Sequence, residues 1–334
     1  MILSPPSITP KLARLKSSES LKLSNVIQWM IKDPCGRPVD NLRLSVTQRC
    51  NLKCFYCHRE GVDYLSVREM TPTEIERVVS IAVSLGVRKV KLTGGEPLLR
   101  TDIVEVVRRL NHVPSLREVA MTTNGILLRD LAGPLKAAGL ARVNVSLGSL
   151  RAESYQALTG LDCVVQVLAG IKEAASVGLL PLKVNMVLLK GLNDDQVSSM
   201  VDFTRENGLI LQLIEFESPV PEIENYGKYH RSLDWVEKEL KEKAIRTVVR
   251  RIQKRRKYFL EGGGEVEVVR PMHNTSFCKS CSRLRVTSDG KFKPCLFRTD
   301  NLVDFLTPMR NGASNEEVKS LLLTAVSRRR PYFT

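Results

Sequence analysis

The chain lacks any apolar run near the roughly 18 residues that a membrane-spanning helix needs, so no transmembrane segment is expected. A secretory signal is missing too. The first 31 residues hold six Ser, four Lys or Arg and one acidic residue, broken by Pro5, Pro6 and Pro10, with no continuous apolar stretch. Two readings stay open for this segment: a transit peptide, and a loosely docked N-terminal arm over residues 1–32. Cysteine is scarce for a disulfide scaffold, and the eight Cys fall mainly into two tight clusters. That pattern points to ligation in a reducing compartment, the cytoplasm. Acidic residues are in deficit: 36 Asp and Glu face 51 Lys and Arg, a formal net charge of +15. Such an excess favours anionic partners without choosing among nucleotides, nucleic acids and acidic surfaces. What is present, 43% hydrophobic and 26% charged residues, is the composition of an ordinary globular protein.

From residue 42 to 216 one grammar recurs: a short β-branched run, a loop, an amphipathic stretch, then Gly. Runs start near Leu42, Lys89, Glu118, Arg142, Leu182 and Ile210, and four intervening stretches end at Gly86, Gly139, Gly178 and Gly208, where helix C-termini are expected. Thr71-Pro72-Thr73-Glu74 predicts a helix start, since Thr and Glu three apart cap each other and Pro suits the first helical position. Strands alternating with helices predict parallel βαβ units. Six units in about 175 residues fall short of the roughly 250 of a closed eight-unit barrel. The expected fold is therefore α/β, an incomplete (β/α)6 TIM-like barrel over residues 33–217. Beyond Phe216 the grammar changes. Residues 217–225 are rich in Pro and Glu, 233–257 read as a basic helix, Gly262-Gly263-Gly264 as a turn between strands, Asp289-Gly290 as a hairpin, and 315–327 as a last helix. These predict a C-terminal α+β domain over residues 218–334.

Strands covered on both faces normally read as continuous apolar runs. Here polar residues alternate with apolar ones: Arg43, Ser45 and Thr47; Lys89, Lys91 and Thr93; Arg142, Asn144 and Ser146; Lys183 and Asn185. Alternation puts each set on one face, so a lumen built from that face would be a polar, cationic cavity suited to a charged substrate. Solvated edge strands are the other reading. Directly after the first run, Cys50, Cys54 and Cys57 form C-x3-C-x2-C. Three thiolates at this spacing suit three irons of a [4Fe-4S] cluster with the fourth iron open; zinc would need a fourth ligand, for which His58 is the neighbouring candidate. A second triad, Cys278, Cys281 and Cys295, suits another incompletely ligated cluster, or a Cys3His zinc site with His273.

The first triad, with Tyr56 before its last Cys and Thr93-Gly94-Gly95-Glu96-Pro97 about 37 residues later, resembles the signature of radical S-adenosylmethionine (SAM) enzymes. The string from Cys278 through Arg283, Leu284 and Arg285 to Cys295 resembles, more narrowly, the C-terminal signature of the GTP 3′,8-cyclase family, which opens molybdenum cofactor biosynthesis. Residues 36–47, 93–100, 122–125, 183–185, 190–194 and 213–216 match that family as well. The resemblance implies two [4Fe-4S] clusters, on Cys50, Cys54 and Cys57 and on Cys278, Cys281 and Cys295. It implies SAM contacts at Tyr56, Gly94, Gly95, Glu96 and Ser146, and GTP contacts at Arg43, Lys89, Lys91, Thr122, Lys183, Arg283, Leu284 and Arg285. It implies no protein acid or base in the abstraction: a 5′-deoxyadenosyl radical takes the ribose C3′ hydrogen and C3′ then attacks guanine C8. The partners it implies are GTP, a reducing electron donor and a downstream cyclic pyranopterin monophosphate synthase, with no membrane and no nucleic acid, the chain being a monomer or homodimer.

The chain departs from the family pattern at Cys35, Lys91, Gly148, Gln212 and Glu217, where Phe, Arg, Asp, Arg and Met are common. It also carries 330–334 as Arg-Pro-Tyr-Phe-Thr, where many members have a Gly-Gly tail reaching into the active site. Cys35 and Cys163 read as buried, hydrophobe-like residues. The run 250–257, with six basic residues, reads as a solvated helix face, with RNA binding as its alternative. Two other functions fit parts of the sequence: a radical SAM enzyme acting on a peptide, and a basic zinc protein that binds nucleic acid without catalysis.

Overall fold

The computed structural model describes residues 30–218 and 225–334; the arm expected at 1–32 lies, but for its last three residues, outside these, as does most of the Pro- and Glu-rich stretch. Strands β1 (Asn41–Ser45), β2 (Lys89–Thr93), β3 (Glu118–Thr123), β4 (Arg142–Ser146), β5 (Lys183–Leu188) and β6 (Ile210–Glu215) start where the hydrophobic runs start, and each pairs in parallel with the next. Helices α1 (Pro72–Ser84), α2 (Ile103–Asn111), α3 (Leu128–Ala137), α4 (Ala152–Thr159), α5 (Val164–Ser176) and α6 (Val197–Glu206) fill the crossovers. At the head of α1 both bonds of the capping box are made: Thr71 Oγ1 accepts from Glu74 N at 3.2 Å, and Thr71 N donates to Glu74 Oε2 at 2.8 Å. The helix then buries Ile75, Val78, Val79 and Ala82 in the same core as Leu42, Leu44, Val90 and Leu92 of the strands. A fully buried Ile or Val contributes on the order of 1.5–3 kcal/mol, which outweighs intrinsic propensity in fixing where the helix lies. Apolar strand residues therefore face the helices, and the alternate polar residues are left for the concave side.

Residues 233–257 are not the basic helix that the charge run suggests. Helix α7 (Tyr226–Tyr229) and α8 (Asp234–Lys243) are followed by β7 (Ala244–Val249) and β8 (Arg256–Leu260). Ile245, Thr247, Val248 and Val249 are β-branched and favour strand, and β8 gives β7 an antiparallel partner. Beyond the glycine turn, β9 (Glu265–Val269) pairs antiparallel with β8 but parallel with β6. After α9 (Thr275–Lys279), β10 (Arg283–Val286) lies parallel beside β1, Arg283 opposite Asn41 and Arg285 opposite Arg43. β11 (Lys291–Lys293) and β12 (Val303–Asp304) extend that rim, and α10 (Leu306–Arg310) and α11 (Asn315–Ser327) are followed by irregular chain to Thr334. The result is one twelve-stranded sheet in the order β12-β11-β10-β1-β2-β3-β4-β5-β6-β9-β8-β7. Its central eight strands are parallel, the six βα units being flanked by one parallel strand on each side from the C-terminal region. Among the described residues no helix is long and apolar enough to cross a membrane.

Candidate active site

Because β10 sits next to β1, the loops that carry the two Cys triads open onto the same mouth. All six cysteines line one cavity of about 300 Å³, which lies at the carboxyl ends of the parallel strands, where such sheets place their sites. None of the cysteines is in a disulfide. The first triad follows β1. Desolvation in the cavity wall raises the Cys50 and Cys57 thiols, and it carries Cys54 up to about 12 with the help of its two neighbours. The second triad sits in a different field. Burial pushes Cys281 up, but Arg283 and Arg329 outweigh it and hold this thiol below its ordinary value. Its backbone is clamped as well: Arg37 Nη1 donates to Cys278 O and Arg329 Nη2 to Cys281 O, both at 2.8 Å. Buried Asp33 pairs with both guanidiniums, at 2.7 and 3.1 Å. Sequence reading missed this clamp, whose members lie 292 residues apart, Arg329 Nη1 reaching Arg37 O.

The loop after β2 packs on the chain that leads into Cys50. Gly95 N donates to Thr47 O at 2.8 Å and Glu96 N to Arg49 O at 2.7 Å. A Cβ on Gly95 would lie 2.2 Å from Arg49 O and 2.5 Å from Gln48 O, both backbone atoms, so this close approach requires glycine. Glu96 is wholly buried. Its Oε1 accepts from Thr123 Oγ1 (2.7 Å) and Leu98 N (3.0 Å), and its Oε2 from Asn124 N (2.6 Å). Burial raises its pKa against those three donors, and the carboxylate is held in one orientation at the cavity wall. Tyr56, Gly94, Gly95, Glu96 and Ser146, the residues assigned to SAM, all line the cavity.

The residues assigned to GTP divide. Arg43, Thr122, Arg283 and Arg285 line the cavity. Lys91 does not; its Nζ donates to Asn144 Oδ1 at 2.9 Å, and desolvation followed by the nearby Arg142 and Arg43 lowers its pKa. Lys183 is tied to Glu267, and burial brings it down to about 8 despite that carboxylate. Lys89 begins β2 exposed to solvent. Leu284 is fully buried in the core, because on β10 it alternates with the two arginines.

Several other residues line the cavity, among which Glu60 had no signal in the sequence. Glu60 lies beneath two of the arginines, ion-paired to Arg43 at 3.6 Å and hydrogen-bonded by Arg285. His58 Nε2 lies 3.4 Å from Glu217 Oε1, so His58 and Glu217 form a second acidic contact at the mouth. Arg255, from the run read as a solvated face, is buried and lines the cavity, as does Gln253 beside it; the run is split between a turn and β8, and these two side chains face inward. Arg330 and Tyr332 also line it, with the Tyr332 ring stacked at 5.1 Å on Phe297. Cys163 is buried as expected, but Cys35 is exposed, because it lies in a tight turn closed by Asp33 Oδ1 accepting from Cys35 N.

The donor set fits iron-sulfur clusters. Each triad is all thiol and faces the cavity, and in a cluster each thiolate takes a different iron, so the sulfurs need not gather around one point. Among the described residues no three His, Cys, Asp or Glu side chains converge as the ligands of one ion would. His273, the candidate zinc ligand, packs its ring 5.0 Å from Phe333. Orphaned buried atoms around the cavity, Thr93 Oγ1, Glu215 Oε2, Arg255 Nε and Arg329 Nε, are further polar partners for a ligand.

Comparison with known proteins identifies the family. Residues 44–204 match the radical SAM superfamily and residues 209–334 match the family described as Molybdenum Cofactor Synthesis C. A protein of Thermococcus kodakarensis named probable GTP 3′,8-cyclase is 53% identical, covering 91% of this chain and 100% of its own length. A protein of the same name in Methanosarcina acetivorans is 50% identical over 91% of this chain and 90% of its own. In structure, Streptococcus suis SuiB bound to S-adenosylmethionine superposes with a TM-score of 0.61 at 16% identity, over 91% of this chain and 72% of that one. Native anSMEcpe with bound AdoMet gives 0.58 at 18%, over 87% and 81%. These two share the fold. The sequence relationship is closer, and by it this chain belongs to the GTP 3′,8-cyclase family of the radical SAM superfamily, whose members use a [4Fe-4S] cluster and SAM.

Proposed function

We propose that the chain converts GTP to (8S)-3′,8-cyclo-7,8-dihydroguanosine 5′-triphosphate, the first step of molybdenum cofactor biosynthesis. The observation that carries this reading is the meeting of both Cys triads and of Arg43, Arg283 and Arg285 in one cavity. Cys50, Cys54 and Cys57 would hold one [4Fe-4S] cluster, and Cys278, Cys281 and Cys295 would hold a second, beside which the guanine would bind. Loaded and reduced, the first site would supply the electron that splits SAM into methionine and a 5′-deoxyadenosyl radical able to take the C3′ hydrogen; once C3′ has bonded to C8, the radical left on the base would take a second electron from the reductant and a proton from water.

The protein's own residues bind and orient. Glu96, fixed by Thr123, Leu98 and Asn124, receives the SAM amino group, and Gly94 and Gly95 let the backbone approach its methionyl part. Arg43, Arg283 and Arg285 receive the nucleotide, and planar guanidinium groups suit phosphate oxygens through paired donors. Residues 33–217 supply the SAM half and 218–334 the second triad. The electron donor is a separate reductant, and a cyclic pyranopterin monophosphate synthase consumes the product.

The test is turnover of anaerobically reconstituted protein with SAM, reductant and GTP. About eight irons per chain and 5′-deoxyadenosine formed only with GTP present are expected, together with the cyclised nucleotide. Equal 5′-deoxyadenosine formation without GTP and no cyclised product would sink the proposal. About four irons per chain would remove the second cluster and the guanine site built on it.

A further inference from the structure

We infer that Arg255, which no sequence signal singles out, is a substrate-binding residue for the polyphosphate end of the nucleotide, held in place by Glu267. This rests on the nucleotide-cyclising reading above. Arg255 ends the turn between β7 and β8 and is turned into the sheet's concave side, where it lines the cavity with Arg43, Arg283 and Arg285. With Arg37, Arg329 and Arg330 on the lining as well, seven guanidiniums around so small a space repel one another. Like charges gathered in a low-dielectric pocket cost stability unless an anion completes them.

The carboxylates present offset this charge only in part: Glu60 pairs with Arg43 and Arg285, and Glu267 is shared. Glu267, wholly buried, accepts from Arg255 Nη1 at 3.2 Å, from Arg250 Nη1 at 2.9 Å and from Lys183 Nζ. One carboxylate thus serves three cations. Its effect on two of them differs: Lys183 is drawn into the wall and off the cavity, while Arg255 stays on the lining. Arg255 Nη2 donates to Gln253 Oε1 at 2.5 Å and Nη1 also reaches Gln212 Oε1 at 3.5 Å. Its Nε is buried and has no partner among the described residues. A buried donor without an acceptor is uncommon in folded proteins. On a cavity wall, beside other guanidiniums, the acceptor that would satisfy it is anionic oxygen. Glu267 is then a positioning residue: it holds the Nη1 end of Arg255 while Gln253 accepts from Nη2, and Nε is left for the ligand.

The experiment is equilibrium binding, by anaerobic calorimetry on the cluster-loaded protein, of three probes: GTP, inorganic triphosphate and guanosine. Arg255→Ala should weaken GTP and triphosphate together, by roughly tenfold to a hundredfold for the loss of a charge-assisted contact, and leave guanosine unchanged. Arg255→Lys, which keeps the charge but not the fork, should recover part of the loss and guards against a folding defect in the alanine variant, as does equal iron content. Unchanged affinity for all three probes, or a loss for guanosine as large as for GTP, would overturn the assignment. Failure of the cyclase reading has a different signature: wild-type protein that binds GTP no better than ATP, with the triphosphate affinity still dependent on Arg255.

Discussion

Glu60 shows how one residue sets the charge of this site. Arg59 and Glu60 both take left-handed backbone angles, φ 46° and 53°, a conformation that non-glycine residues adopt at a cost, and the bend carries the carboxylate under Arg43 and Arg285. Burial pushes its pKa up, yet Arg43 and Arg285 outweigh burial and hold it at about 2. Since the folded value lies below the ordinary ~4.3, the stabilisation is fully present above that value and is lost as pH falls through about 2. A shift of this size corresponds to roughly 3 kcal/mol. Glu60→Gln should therefore lower stability by roughly 2–3 kcal/mol at neutral pH, with the gap to wild type closing as the pH of a thermal melt is taken below ~4. Affinity should move the other way. The carboxylate competes with substrate phosphate for the same two arginines, so Glu60→Gln is expected to bind GTP several-fold tighter. Looser binding in the variant would show that Glu60 orients the arginines instead of competing for them.

Among the elements, what could be read locally was read and what depended on partners was not. The six βα units declare themselves through their alternating runs, and Thr71 and Glu74 through a contact three residues apart. The Cys and Gly-Gly-Glu-Pro loops were legible because metal and backbone chemistry fix residue type at fixed spacing. By contrast, the six basic residues of 250–257 suggested a solvated helix, while pairing with β9 pulled Arg256 and Lys257 into β8 and turned Arg255 inward. Nor does Arg-Leu-Arg-Val at 283–286 say that it will lie beside β1. Lys89 and Lys183 looked like cavity cations by alternation alone, but one sits at the exposed start of its strand and the other is captured by Glu267, a partner 84 residues away. Close approach between loops yields an element-scale prediction. In Gly95→Ala the new methyl meets backbone oxygens of Arg49 and Gln48 at 2.2 and 2.5 Å, and neither can swing aside as a side chain would. The loop before Cys50 must move, so iron bound at the first triad and SAM affinity should fall together, SAM by at least about tenfold, with iron at the second triad retained. Wild-type iron and SAM binding in this variant would mean the two loops are not packed as described.

The whole molecule is organised by the way its C-terminal region brackets the barrel. β9 adds to β6 and β10 adds to β1, so the region carrying the second triad is also what covers both edges of the six-unit sheet. An uncovered parallel edge leaves a row of backbone donors and acceptors without partners. The Asp33, Arg37 and Arg329 clamp joins chain segments almost 300 residues apart, with Arg329 itself 1% exposed. Energetically, then, residues 218–334 do not behave as an appendage whose unfolding leaves the rest intact: losing β10 would expose β1, the strand that presents Cys50. The expected outcome is a single cooperative unfolding transition. In native-state hydrogen exchange, the amides of Leu42 and Leu284, and those of Leu211 and Val266, should open with free energies that agree within about 1 kcal/mol, because each pair belongs to neighbouring strands of one unit. Arg329→Ala should lower all four together, since it removes one of the two buried partners of Asp33 and a donor to the second triad's backbone. If instead β9 and β10 open several kcal/mol before β1 and β6, the two halves are separable, and the second triad can detach from the first without loss of the barrel.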